Sequence, residues 1–459
     1  MAGLTHSPAT RPIPSRPEAP LTLAEPPPRA LGLLDQMGLW ANLGVSILGP
    51  VGAVAVLQPT GHPRLALAAA VLSVVVGTVL GSLAVAVSTV PGAQTGAPAM
   101  VLLRGLFGTR LSYLPTVLNV LQCVGWSIFE IVVIASAAGQ LLPWHHARVA
   151  YVLAAGVLTI VMAIRPLGAV RVLRRYAIAG VAFSTVYLFV QLLRHPLPAF
   201  GAGSWAGFWT ATDVTVAVAV SWVPLASDYS RHSVNPRTAF AGSFIGYSVT
   251  QVAYYVLGLI ALATVVRSSV SPGLLQHDMF AAFIAVPVGW LAFGVLVLRE
   301  LDQSFADTYS TVMSLQNLRP LADRRILAVL VGAVSTGCAL TLNIDAYQAF
   351  LYLLGSVFVP LFGVLAVDYF LLGGRHGWNV SVAAPVRYGR LPPWLAGFVA
   401  YQVVNPGSVS WWAHGWQAVD AWLHLQPPTW VSASVVSFLV AALATLLIGS
   451  VRRLRRRPR

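Results

Sequence analysis

The sequence contains little charge. Only 9% of its 459 residues are Asp, Glu, Lys or Arg, while 57% are hydrophobic and the mean hydropathy is +0.75. Soluble domains carry about 25% charged residues, so this composition excludes an ordinary soluble protein. A membrane-spanning helix needs about 20 apolar residues, and the chain has room for roughly twelve of them. We therefore expect an all-α integral membrane protein in a lipid bilayer.

Lysine is absent. All 28 basic residues are arginine, and the net charge is +14. A strongly basic chain raises the possibility of a nucleic-acid partner. Here the arginines lie in short loops between apolar runs and in the final stretch RRLRRRPR, a distribution typical of cytoplasmic membrane loops. We expect no nucleic-acid partner.

Several functional motifs are also missing. There is no Walker A phosphate loop, which argues against an ATP-driven pump, and no selectivity-filter repeat, which disfavours a channel. No large soluble domain is available for an enzyme, and no cofactor is expected. His145, His146 and His232 do not have the spacing of a metal site, so we expect no metal beyond a possible Na⁺. Cys123 and Cys338 lie in apolar segments and predict packing rather than a disulfide.

The apolar runs and the arginines together predict the topology. The tails and every second loop contain 23 arginines, the alternate loops contain four, and Arg299 falls inside a run. By the positive-inside rule, both termini are cytoplasmic, and we expect a multi-pass protein of the plasma (inner) membrane. The twelve runs lie near 33–58, 65–90, 113–142, 149–164, 173–193, 213–227, 239–266, 286–316, 326–343, 347–372, 392–412 and 430–451.

Two runs contain helix-breaking residues. Gly49 and Pro50 end the fragment VSILGP in the first run, and Pro224 ends the fragment VSWVP in the sixth. Proline removes a backbone hydrogen bond, and lipid cannot satisfy the freed carbonyl, so unwound backbone is tolerated where it lines a cavity. Breaks five spans apart are typical of an inverted repeat with a substrate between them. Simple proline kinks are the alternative.

The third run carries a polar and aromatic face. Gln122, Trp126 and Glu130 are spaced at i, i+4 and i+8 and therefore share one helix face. A planar heterocycle would stack on the tryptophan while its N–H groups donate to the carboxylate. The alternative is a carboxylate paired structurally with a neighbouring helix.

The eighth run is unusually charged, with Arg299, Glu300, Asp302 and Asp307. Charged residues inside membrane segments are functional candidates. We expect Glu300 or Asp302 to neutralise Arg299, and at least one remaining carboxylate to bind a small cation or to carry a proton.

Five stretches of the chain carry a resemblance to a known family. They are LWANLGVS at 39–46, GAQTGAPAMVLLRGLFG at 92–108, NVLQCVGWSIFE at 119–130, PLASDYSRH at 224–232 and SFADTYSTVMSLQN at 304–317. Over about residues 30 to 450 the sequence resembles the nucleobase–cation symporter family, which includes cytosine, purine, uracil, thiamine-precursor and allantoin permeases.

The resemblance implies a LeuT-type fold, in which ten helices form a five-plus-five inverted repeat and two more follow. The resulting divisions are the first repeat (31–200), the second repeat (201–372) and helices 11 and 12 (373–451), flanked by two tails that are predicted from composition, a disordered cytoplasmic tail (1–30) rich in proline and polar residues and a basic cytoplasmic tail (452–459).

The resemblance also implies a substrate site. Trp126 on helix three and Trp222 on helix six would sandwich a base, with Glu130 one turn beyond Trp126. Asp307 would contact the substrate from helix eight and Ser46 from helix one.

A cation site is implied beside it. Sodium-coupled relatives use carbonyls that correspond to Asn42 and Val45, and oxygens on helix eight where this chain has Leu298, Leu301 and Asp302. A paired hydroxyl motif of the sodium site is replaced here by Leu301 and Asp302, which leaves Na⁺ and H⁺ open as the coupling ion.

The expected function is import of a nucleobase-like small molecule by cation symport in a monomeric transporter. The acceptor groups of Glu130 and Asp307 favour a base rich in N–H donors, such as cytosine or hydroxymethylpyrimidine. Purine, uracil, allantoin and hydantoin remain alternatives within the family, and a membrane channel is the alternative of a different class.

Overall fold

The computed structural model describes residues 28–164, 169–265, 272–428 and 430–455. Within these ranges the regular structure is helical, with eighteen α-helices and two isolated β-bridges. The first seven helices are α1 (Leu33–Gly44), α2 (Leu48–Leu57), α3 (Leu67–Thr95), α4 (Ala99–Phe107), α5 (Tyr113–Leu141), α6 (Ala147–Ile164) and α7 (Ala169–Leu192).

The later helices begin with a second interrupted element, called helix six below, in which a 3₁₀ turn (Val223–Leu225) lies between two α-helices, α8 and α9. A π turn (Val367–Leu371) follows α14. The helices are α8 (Phe208–Val220), α9 (Ala226–Ser230), α10 (Pro236–Val265), α11 (Pro272–Ala285), α12 (Gly289–Leu318), α13 (Arg324–Ala339), α14 (Tyr347–Ala366), α15 (Gly374–Gly377), α16 (Leu391–Val404), α17 (Ser410–Trp422) and α18 (Ala433–Arg455).

Each of the twelve predicted apolar runs coincides with a helix or a broken helix. In the described parts of the chain, seven helices are long and apolar enough to cross a membrane, or eight when α1 and α2 count as one span. The number of twelve crossings therefore stays a prediction, as do the domain boundaries. The predicted tails fall largely on 1–27 and 456–459, outside the described residues, and α18 continues to Arg455, so the start of the expected basic tail is helical.

The break in helix one lies earlier than predicted. Helix one consists of α1 and α2, which meet at an angle of 60°, and the non-helical residues between them are 45–47. Gly49 and Pro50 instead belong to the first turn of α2. The first turn of a helix has no intrahelical partner for its N–H groups, so a proline there loses no bond. In helix six the structure places Pro224 inside the 3₁₀ turn that interrupts the helix.

Glycine permits α1 to lie against α10. A Cβ on Gly242 would stand 2.5 Å from Gln36 Cβ, and one on Gly246 would stand 2.4 Å from the carbonyl oxygen of Met37. The spacing of these glycines is G-x-x-x-G, which lets two helix backbones approach closely in a membrane. This contact fixes the first half of broken helix one.

Two buried aspartates tie helix six to other elements. Asp213 in α8 accepts hydrogen bonds from Ser432 Oγ at 2.5 Å, Ala433 N at 2.8 Å and Ser434 N at 3.1 Å, at the start of α18. Asp228 in α9 accepts from the N–H of Ala99 at 2.9 Å, at the start of α4. Carboxylates stabilise helix N-termini by satisfying free N–H groups and by opposing the helix dipole. Helix six is thus held at both ends.

Candidate substrate-binding site

A narrow cavity lies where the two broken helices meet. Its volume is about 40 Å³, little more than the roughly 30 Å³ that one water molecule takes up in the liquid. It is lined from α1 and α2 by Leu43, Gly44, Ser46, Leu48 and Gly49, from α5 by Trp126 and Glu130, from helix six by Val218 and Trp222, from α10 by Tyr247, Gln251, Tyr254 and Tyr255, from α12 by Gln303 and Asp307, and from α14 by Tyr347.

Trp126 and Glu130 both reach this cavity from α5. The Trp126 ring is 7% exposed and packs edge-on against Tyr347 and Phe350, with ring centroids 5.9 and 5.3 Å apart. Glu130, one turn further along the helix, is 1% exposed. The i, i+4 spacing aims both side chains at the same space.

Asp307 faces Glu130 from α12. Both side chains line the cavity, and both residues are buried. A carboxyl group donates a hydrogen bond when protonated and only accepts when ionised. The site therefore holds an acidic pair that can carry a proton.

Trp222 lies at the break of helix six, next to the 3₁₀ turn. Its ring makes edge contacts with Trp40 at 6.3 Å, Tyr229 at 6.4 Å and Tyr247 at 6.4 Å. These contacts hold the ring against α1 and α10 and fix the side of it that borders the cavity.

Ser46 lies at the break of helix one and lines the cavity. Its hydroxyl donates to Glu300 Oε1 at 2.5 Å and accepts from the N–H of Leu48 at 3.0 Å. The N–H of Ile47 donates to Glu300 Oε2 at 2.9 Å. Glu300 therefore accepts the hydrogen bonds of a hydroxyl and an N–H group at the start of α2. This role of Glu300 was not predicted from the sequence.

Gln122 does not line the cavity. Its amide donates to Asn119 Oδ1 and to the carbonyl oxygen of Ser221, each at 2.8 Å. Ser221 follows the last residue of α8, so its carbonyl is one that the break of helix six releases. Here the side chain holds the broken helix, and a substrate contact for Gln122, expected from its place on the face with Trp126 and Glu130, stays a prediction.

The five residues predicted to bind a cation lie beside a different cavity. Asn42, Val45, Leu298, Leu301 and Asp302 border a mainly apolar space of about 710 Å³ next to α7 and α10. Asn42 Nδ2 donates to Asp302 Oδ2 at 2.7 Å. The side chain of Leu298 is 70% exposed, so only its backbone carbonyl is available to an ion.

Arg299 reaches from α12 to the end of α1, and its expected neutralisation by Glu300 or Asp302 stays a prediction. Its guanidinium donates to the backbone carbonyl of Asn42, and its Nε lies 3.3 Å from Asn42 Oδ1. Glu300 points to the start of α2, as described above. Adjacent residues of α12 thus reach the two opposite ends of the break.

The contribution of α10 to the cavity was not predicted from the sequence. Tyr247, Gln251, Tyr254 and Tyr255 all line the cavity. Their spacing of i, i+4, i+7 and i+8 is that of one helix face, so a polar and aromatic stripe in the seventh run was the available signal. Tyr347, at the start of α14, had no such signal.

Four buried polar atoms around the cavity have no hydrogen-bond partner among the described residues. They are Trp126 Nε1, Glu130 Oε2, Gln251 Oε1 and Tyr255 Oη. Buried polar groups in folded proteins are nearly always hydrogen-bonded. Two of these atoms are acceptors, one is a donor and one can be either, which fits a small ligand with N–H groups and a carbonyl oxygen.

A family model matches residues 39–377, which is most of the chain; its description reads "Permease for cytosine/purines, uracil, thiamine, allantoin". The chain belongs to this permease family. The resemblance identified from the sequence is confirmed, and the protein is a multi-pass membrane transporter.

Individual relatives are distant. The chain is 23% identical to the cytosine permease of Escherichia coli strain K12 over 358 residues, 74% of this chain and 82% of that protein. It is 22% identical over 328 residues to YxlA of Bacillus subtilis, whose name places it provisionally among the purine-cytosine permeases, covering 67% of this chain and 69% of that protein.

Solved transporters share the fold. Mhp1, a nucleobase-cation-symport-1 family transporter, in a closed conformation with bromovinylhydantoin bound, is 16% identical, with a TM-score of 0.67 over 94% of this chain and 96% of its own. MhsT, in complex with L-phenylalanine, gives a TM-score of 0.54 at 15% identity over 90% of this chain and 97% of its own. The fold is that of a helical, LeuT-like membrane transporter.

Proposed function

We propose that this permease imports a one-ring base that bears an exocyclic amine, with cytosine or hydroxymethylpyrimidine preferred, by symport with a cation. The observation that carries the proposal is the set of partnerless polar atoms around the cavity. An unsatisfied buried polar group is unfavourable by about 1–3 kcal/mol, so a ligand that pairs with these groups gains binding energy.

The acidic pair favours an amine-bearing ligand. Glu130 offers a free acceptor oxygen, and Asp307 lies beside it. An exocyclic amine supplies two N–H donors to these carboxyl oxygens, and a ring carbonyl accepts from Trp126 Nε1. Uracil has a second carbonyl where cytosine has its amine, and that carbonyl would face the carboxyl groups of Glu130 and Asp307. A ligand that leaves buried polar groups of a site unpaired binds much more weakly.

The size of the cavity favours one ring over two. A volume of about 40 Å³ is smaller than a one-ring base, so the lining side chains must move to admit any base, and they must move further for two rings than for one. We propose that Trp126 and Trp222 stack on the two faces of the base and that Ser46 contacts its edge. A purine would require a larger displacement of the α10 tyrosines.

The mode of transport follows from the fold and the charges. Broken helices that meet at a midplane site are typical of alternating access. We propose twelve crossings with both termini in the cytoplasm, a plasma (inner) membrane location and a monomer as the working unit. A channel would let the base equilibrate only, whereas a symporter accumulates it.

The test is uptake of radiolabelled bases by cells that express the protein and lack their own base permeases. The panel is cytosine, hydroxymethylpyrimidine, uracil, hypoxanthine, allantoin and a hydantoin, the last because the Mhp1 structure holds bromovinylhydantoin. We expect accumulation of an amine-bearing pyrimidine that an ionophore collapses.

Two variants test the site within the same assay. Glu130→Gln is expected to abolish uptake at normal membrane expression, whereas Asp278→Asn, a partly exposed acid on α11, is the matched control and is expected to transport normally. Preference for uracil or hypoxanthine, or normal uptake by Glu130→Gln, would contradict the proposed site.

A further inference from the structure

The break of helix one has two ends with opposite electrostatic character. α1 ends at Gly44 and α2 begins at Leu48. The last carbonyls of a helix and the first N–H groups of the next have no intrahelical partner. The C-terminus carries a partial negative charge and the N-terminus a partial positive charge.

A guanidinium occupies the negative end. Arg299 donates through Nη2 to the backbone carbonyl of Asn42 in the last turn of α1. Nη2 also lies 3.3 Å from Gln303 Oε1, and the amide of Gln303 donates to the carbonyl of Leu43 at 3.1 Å. Two of the carbonyls released at the end of α1 are therefore satisfied by side chains of α12.

A carboxylate occupies the positive end. Glu300 accepts from Ile47 N and from Ser46 Oγ at the start of α2. The order of the two charges matches both helix dipoles, and both side chains are at least nine-tenths buried. In transporters with broken helices, the carbonyls at a half-helix C-terminus are the usual ligands of a coupling sodium ion. Here that position holds a fixed positive charge.

We infer that Arg299 is the resident cation of the helix-one break, in place of a sodium ion, and that transport by this protein does not use sodium. Arginine is charged at every physiological pH, so its charge is always present. A sodium ion at the same carbonyls would compete for their lone pairs and stand beside a like charge, which is strongly unfavourable in a low-dielectric interior. The cation left for the proposed symport is a proton.

Only the conclusion about the coupling ion rests on the proposed function. The occupation of the break by Arg299 is tested without any base. The measurement is the thermal stability of the purified protein in detergent, with sodium chloride exchanged for choline chloride at constant pH and ionic strength. We expect the wild-type Tm to be the same in both salts.

Removal of the guanidinium should create a sodium response. Arg299→Ala leaves the carbonyl of Asn42 and the carboxylate of Asp302 beside an uncharged space, and we expect a Tm that sodium raises and choline does not. Arg299→Lys keeps a positive charge and should behave as the wild type. Arg148→Ala is the matched control, because Arg148 also donates to carbonyls at a helix end, those of Ala339, Leu340 and Leu342, and it should lose stability without a sodium response.

A saturable rise of the wild-type Tm with sodium would overturn the inference, and so would a folded Arg299→Ala protein that ignores sodium. If that variant does not purify, the wild-type and Arg299→Lys titrations decide the question. Sodium-driven uptake of a base by the wild type would overturn the inference while leaving the proposed function intact, whereas failure of every base in the uptake panel would do the reverse.

Discussion

Replacement of Trp126 with alanine should weaken substrate binding far more than it changes stability of the fold. One edge of the ring already packs on Tyr347 and Phe350, and the remaining surface borders the cavity. A base stacked on an aromatic side chain gains about 1–3 kcal/mol. Since each 1.36 kcal/mol is tenfold, we expect Kd to rise by about 5- to 150-fold.

The assay is equilibrium binding of the radiolabelled base that the uptake panel identifies, with purified protein. Trp126→Phe keeps a ring and loses the N–H donor, so its loss should be smaller, about 1 kcal/mol or fivefold. Trp411, whose side chain is 74% exposed on α17, supplies the control Trp411→Ala, for which we expect unchanged affinity. An unchanged Kd in Trp126→Ala, with normal folding, would refute the stacking role.

Three further predictions concern stability. Glu300→Gln removes a buried charged acceptor from the start of α2 and should cost about 1.5–3 kcal/mol, read as a lower Tm than that of Asp278→Asn; equal Tm values would contradict the capping role. Asp213→Ala removes three hydrogen bonds from the start of α18 and should lower stability by about 1–2 kcal/mol, measured by thermal melting, with Asp213→Asn losing less. Burial lowers the pKa of His232 in the α9–α10 loop below its ordinary value of 6.5. The unfolded state therefore binds more protons, and stability should fall as the pH drops below about 6.5. His232→Asn should remove that part of the pH dependence, and an unchanged slope of Tm against pH in the variant would contradict the prediction.

The helices and the existence of the breaks were predictable because they follow from local chemistry. Apolar runs and prolines mark them directly in the sequence. The position of the first break was predicted too late in the chain, at Gly49 and Pro50, since proline is tolerated in the first turn of a helix. The non-helical residues 45–47 precede it and carry no breaker of their own.

The α5 part of the site was predictable because helical periodicity places Trp126 and Glu130 on one face. The same periodicity grouped Gln122 with them, yet one turn along the helix is enough to leave the cavity and reach the carbonyl of Ser221. The tyrosines of α10 were missed because buried tyrosines are also common in packing faces, and the sequence does not say which face meets a cavity.

The charges of α12 were the hardest to assign. Arg299 and Glu300 are adjacent in sequence, which suggested neutralisation within one helix. Their tertiary partners are the two ends of helix one, more than 250 positions away. Such long-range partners depend on how the repeats pack, which a single sequence does not specify.

The most direct test of the account is accumulation of the base in proteoliposomes that contain the purified protein. A pH gradient, acidic outside, is imposed in one set without sodium, and a sodium gradient at uniform pH in another. We expect accumulation of cytosine or hydroxymethylpyrimidine above the external concentration, driven by the pH gradient and abolished by a protonophore and by Glu130→Gln. Equilibration without accumulation under both gradients would contradict it.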